Sequence, residues 1–76
     1  MKIKLPTVEK VKDFVAITTK QNCDIDLVSN DNRYVINAKS IMGIFSLDLS
    51  KEIELKVHLE GMDKKTIESK FVAFEA

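Results

Sequence analysis

One cysteine, one histidine, one proline and two glycines are all that this 76-residue chain contains of those residue types. Each scarcity excludes something. A lone cysteine, Cys23, cannot close an internal disulfide, and it suits a reducing, cytoplasmic setting. Gly43 and Gly61 are too few and too far apart to build a glycine-rich phosphate loop. One histidine, one cysteine and one tyrosine give no cluster of metal-ligand types, so neither a metal nor another cofactor is expected, and an enzyme is not the expectation. Charge of one sign is also missing. Twelve basic and twelve acidic side chains cancel, which removes the electrostatic case for nucleic acid or a membrane surface as partner. No apolar run approaches the roughly 18 residues of a membrane span, and the first residues lack the apolar stretch of a signal peptide.

What is present is an ordinary globular composition, 45% hydrophobic and 32% charged, with no repeat or low-complexity tract at which to cut. Residues 1–76 therefore read as a single small domain. Lys2–Leu5 alternates charged and apolar residues as a short strand, and Pro6-Thr7 breaks it. Thr7 can cap a helix in which Val8, Val11, Val15 and Thr18 recur at helical spacing with Phe14 beside them. Cys23, Ile25 and Leu27 alternate with Asp24 and Asp26 as a strand. Ser29–Asn32 has turn composition, and Arg33–Ala38 returns with Tyr34, Ile36 and Ala38 on one face. Ser40 opens a short apolar helix that ends by Leu47-Asp48. Glu52–Leu59 alternates without a break and is the strongest strand, closed by Glu60-Gly61. Asp63 can cap a last helix carrying Ile67, Phe71 and Phe74. The order β-α-β-β-α-β-α, with every strand amphipathic, predicts an α+β domain: a four-stranded antiparallel sheet with three helices on one face.

Few side chains are candidates for chemistry. His58 falls on the polar face of the strongest strand, where it can be a phosphoacceptor or general base, or a solvated residue in a cross-strand contact. Cys23 reads as a small buried hydrophobe, since no histidine partner is implied. Asp24 and Asp26 share the outward face, but two carboxylates alone make a weak cation site. Ser40, between a strand end and a helix start, is either a helix cap or a phosphorylation site with Lys39 adjacent.

The segment Ala38-Lys39-Ser40-Ile41-Met42-Gly43-Ile44-Phe45-Ser46-Leu47, followed by the Glu52–Leu59 strand and Glu60-Gly61, resembles the HPr family. These are the small bacterial phosphocarriers of the sugar phosphotransferase system, and their open-faced β-sandwich has the element order derived above. The resemblance implies that Ser40 corresponds to the serine modified by HPr kinase/phosphorylase in Gram-positive members. It implies that Ile41, Met42, Ile44, Phe45 and Leu47 form a surface for docking partner proteins, such as a transcriptional regulator or metabolic enzyme. The chain departs from the family where it matters most. Members carry a loop reading approximately Gly-Leu-His-Ala-Arg-Pro-Ala, whose histidine takes phosphate from enzyme I. Here the stretch is Leu5-Pro6-Thr7-Val8-Glu9-Lys10, which is shortened and holds neither histidine nor arginine. Thr7 falls near the lost phosphoacceptor, and a threonine ester lacks the transfer potential of a phosphoramidate. The expectation is a relative without phosphocarrier activity, similar to the catabolite-repression HPr-like protein: a regulatory interaction module, with a diverged scaffold, or last a phosphocarrier working through His58 or Thr7, as the alternatives.

Overall fold

The computed structural model describes all 76 residues. Its elements run β1 (Lys2–Ile3), α1 (Val8–Thr18), β2 (Ile25–Val28), β3 (Val35–Asn37), α2 (Ile41–Phe45), β4 (Ile53–Val57) and α3 (Gly61–Glu68), then a 3-10 segment, Ser69–Phe74. The strands form one antiparallel sheet in the order β1-β4-β2-β3. This is the expected α+β architecture. The period-two pattern of β4 divides the sheet's two faces. Ile53, Leu55 and Val57 are buried, whereas Lys56 between them is exposed. Register carries the same division onto β2, where Leu27 sits opposite Leu55 and Asp26 opposite Lys56. The apolar face meets Val11 and Phe14 of α1, Ile44 of α2, and Phe71 and Phe74 from the C-terminal segment in one core. The opposite face is left to solvent.

Three aromatic rings anchor the helical layer. Phe14 lies 5.2 Å from Phe71 and 5.6 Å from Phe74 between ring centroids, the latter edge-on. The final helix is split, which explains how both C-terminal phenylalanines reach the core. After Glu68 the chain tightens to 3-10 winding, in which residues three apart lie on one side, so Phe71 and Phe74 point inward together. The chain then runs beside β1. Lys4 N–H donates to the Phe74 carbonyl at 2.8 Å and Ala76 N–H to the Lys2 carbonyl at 3.0 Å, covering that sheet edge.

Local expectations change in four places. Asp63 does not cap α3: Gly61 takes φ +62° and starts the helix earlier, with Glu60 at the cap position and no side-chain bond there. Val8 is 53% exposed at the first turn of α1, and the buried stripe is Val11, Phe14 and Thr18. Tyr34 precedes β3 and is exposed, because a six-residue connection including Ser29–Asn32 joins β2 to β3. Cys23 lies before β2 and is half-buried against the core. The turn itself forms as its composition implies, with Asn32 at φ 61° and Ser29 Oγ accepting from the Arg33 and Tyr34 N–H groups.

Candidate functional site

The β3–α2 junction is built from side chains that bond to main chain. Asn37 Oδ1 accepts from Lys39 N–H at 2.9 Å, and the Asn37 carbonyl accepts from Ser40 N–H at 3.0 Å, so the chain turns sharply after β3. Ser40 leaves that turn extended, at φ −98° and ψ 103°, and its Oγ accepts from Gly43 N–H at 3.2 Å. It is thus the helix cap that its position implied, and it is exposed. Below it, Ala38 is fully buried, and its carbonyl accepts a 2.9 Å bond from the Thr18 hydroxyl at the end of α1. Thr18 is the only polar residue among the buried ones, and this bond is what permits its burial.

Gly43 explains the glycine inside an apolar run. A Cβ built there would lie 2.6 Å from Ile36 Cγ2 and 3.2 Å from Ser40 Oγ. α2 therefore rests its backbone directly on β3, and only a residue without a side chain lets it do so. The apolar residues around Gly43 divide by face. Ile44 is fully buried and Leu47 is 8% exposed, so both serve the core and leave the expected docking surface. Met42 at 77% and Phe45 at 41% exposure face solvent, with Ile41 half-buried between.

Lys39 is not free to flank Ser40. Its ammonium donates to the Gln21 carbonyl at 2.8 Å, tying the junction to the α1–β2 connection. Sequence offered no sign of this bond between residues 18 positions apart. The Thr18 and Gly43 contacts were equally hidden, although a glycine within a helical apolar run is itself a mark of close backbone approach.

The other candidates lie apart. Thr7 caps α1, accepting from Lys10 N–H at 3.1 Å. His58 sits just past β4 on the open face of the sheet, and its Nε2 is 2.7 Å from Asp26 Oδ2. This is the cross-strand contact that alternation suggested. With Asp24, Asn37 and Lys39 the pair borders a hollow of about 360 Å³. Cys23 is a free thiol, half-buried against the core. Where α2 ends, the Asp48 carboxyl is held below the usual aspartate value. The main cause is its bond from the Ser50 hydroxyl at 2.6 Å, followed by the Ser50 N–H at 3.1 Å.

A model of the family described as "PTS HPr component phosphorylation site" matches residues 9–75, nearly the whole chain. No curated protein and no solved structure matches. The matched stretch holds Ser40 and all of α2, and it begins two residues after Thr7. A match of this extent, over a fold with the four antiparallel strands and three helices the family implies, places this chain in the HPr family of phosphotransferase-system components.

Proposed function

We propose that this protein is a regulatory interaction module of the phosphotransferase-system type that has lost phosphocarrier activity. Ser40 is its switch, and Ile41, Met42 and Phe45 form its docking surface. The observation that carries the reading is a separation of parts. The cap of α1, near which the family holds its phosphoacceptor, bears Thr7 and no histidine. The chain's one imidazole is engaged with Asp26 on the solvent face of the sheet. Ser40 stands exposed at the edge of two exposed apolar side chains, Met42 and Phe45.

The partners that fit are proteins: a kinase of the HPr kinase/phosphorylase type, and a transcriptional regulator or metabolic enzyme that distinguishes the two states of Ser40. The kinase transfers the γ-phosphoryl group of ATP to Ser40 Oγ, with loss of the hydroxyl proton and release of ADP. The added charge of up to about −2 at pH 7 then lies beside the apolar patch. Incubation with such a kinase and ATP is expected to add one phosphate, mapped to Ser40 by mass spectrometry and absent from Ser40→Ala. An unmodified Ser40, under conditions that label an ordinary HPr, overturns the reading. Incubation with phosphoenolpyruvate and enzyme I is expected to leave the chain unlabelled. Acid-labile phosphate on His58 would restore a carrier role instead.

A further inference from the structure

The β3–α2 junction is clasped to the end of α1 by two side chains of different character. Thr18 is fully buried and its hydroxyl bonds the Ala38 carbonyl, where no solvent or ligand group can compete. Lys39 is only half-buried, and its ammonium bonds the neutral Gln21 carbonyl at 2.8 Å. One clasp is permanent and the other can be exchanged. The exchangeable one belongs to the residue directly before Ser40. Among residues 37–43, Lys39 is the only cation.

We infer that Lys39 is a transferable clasp: phosphorylation of Ser40 draws its ammonium from the Gln21 carbonyl to the phosphate and loosens the Gln21–Asp24 connection. This rests on the reading of Ser40 as the modified residue and adds what the modification does. A phosphate dianion is a far stronger partner for an ammonium than a neutral carbonyl, because the pair gains both opposite charge and charge-assisted hydrogen bonds. Consecutive Cα atoms lie about 3.8 Å apart, so a lysine and a phosphoserine at adjacent positions are within mutual reach. Gln21 would keep its own anchors on α1, through Nε2 to the Ile17 carbonyl at 2.9 Å and N–H to the Thr18 carbonyl at 3.1 Å. The loosening therefore starts beyond it, at Asn22 and Cys23, where neither backbone N–H donates to a main-chain carbonyl. The Thr18–Ala38 bond keeps the fold intact. The same transfer withdraws a cation from the hollow bordered by Asp24, Asp26 and His58, leaving that patch of the open sheet face more acidic. A modification on the helical side is thus reported at the α1–β2 connection and on the sheet.

Cys23, the single thiol, is half-buried in this connection and reports its opening. The 76-residue chain is short enough to make by chemical synthesis with phosphoserine at position 40, so the test does not depend on any kinase accepting it. Labelling of Cys23 by a neutral maleimide is compared among the unmodified chain, the phosphorylated chain, Lys39→Met, and phosphorylated Lys39→Met. Phosphorylation and Lys39→Met are each expected to speed labelling by about ten-fold, as for loss of one charge-assisted bond that limits local opening, with no further gain when combined. Equal labelling of the phosphorylated and unmodified chains overturns the clasp, as does acceleration by phosphate that persists in Lys39→Met. Kinase labelling of the recombinant chain tests the reading of Ser40 separately, so either can fail alone.

Discussion

Gly43→Ala is expected to destabilise this protein although alanine is the better helix former, and the reason can be worked from one contact. The new methyl would lie 2.6 Å from Ile36 Cγ2. Carbon atoms in contact prefer about 3.5–4.0 Å, so roughly an ångström must be recovered. Ile36 cannot recover it cheaply, because a β-branched side chain in a strand is restricted at χ1. The alternatives are to lift α2 from β3 or to twist Ile36 off its rotamer, and overpacking of this kind costs about 1–3 kcal/mol. Against it stands a helix-propensity gain of at most about 1 kcal/mol. The middle of that cost, less the full propensity gain, leaves a net loss of about 1 kcal/mol, which lowers the melting temperature of a domain this size by roughly 4–8 °C. Urea denaturation followed by far-ultraviolet circular dichroism measures it, with an unchanged m-value showing that the transition has kept its character. The control is the same substitution in an Ile36→Ala background, where Cγ2 is gone. There Gly43→Ala should be neutral or stabilising, giving a coupling of about 1–3 kcal/mol across the double-mutant cycle. A neutral Gly43→Ala in the native background, or an equal cost in both, would refute the close approach of α2 to β3.

Three further outcomes follow from other contacts. Thr18→Val keeps the side chain's shape but strips the buried Ala38 carbonyl of its 2.9 Å hydroxyl partner, for an expected loss of about 1–3 kcal/mol by urea denaturation; a neutral result would mean the bond is not made. Phe45→Ala should cost about 1–2 kcal/mol, because the ring is already 41% exposed, whereas Phe14→Ala should cost about 3–5 kcal/mol; equal losses would place Phe45 in the core and remove it from the docking surface. Asp48 should titrate below an ordinary aspartate by carboxyl NMR, and Ser50→Ala should raise it towards the ordinary value. Because the folded-state pKa is depressed, the stability linked to Asp48 is present above the unfolded aspartate value and is lost as pH falls through the folded one. Ser50→Ala should therefore flatten that part of the acid limb, and an unmoved Asp48 would contradict the bond from the Ser50 hydroxyl.

The parts of the fold legible in the sequence are those with local or periodic causes. Alternation revealed β4 and its inward face, because a strand's side chains can only alternate. Thr7 and Ser40 were legible as caps, since each stands where a break in pattern meets the start of a helical one. Val8 was misread because the first turn of a helix can project past the core it packs on, and periodicity carries no information about where a helix overhangs. Asp63 was misread because Gly61 begins α3 in a left-handed conformation that no pattern of apolar residues records. Ile44 was grouped with Met42 and Phe45 because five residues of helix are too few for a stripe to be separated from its opposite face, and Leu47 because the helix was expected to run on to it, whereas α2 ends at Phe45.

The bonds that define the site were illegible for a common physical reason. Thr18 to Ala38, Lys39 to Gln21, and Gly43 against Ile36 all join elements that meet only after the sheet and the helices have packed. Each is also a contact in which a side chain meets main chain or passes close to it. Main-chain groups are the same at every residue, so such contacts leave little trace in residue identity on the accepting side. Ala38 and Gln21 could be many residues and still offer a carbonyl. What the sequence does record is the donor, or the missing side chain: a threonine at a buried helix position, a lysine before a cap, a glycine inside an apolar run. Each looks anomalous locally, and each is accounted for at the β3–α2 junction. That three such anomalies converge where Ser40 is exposed argues that the junction's geometry is specified in its own right. A cap alone needs only a serine and the N–H of the residue three positions on. Holding that serine at a fixed height over β3, beside a lysine engaged elsewhere, needs all three.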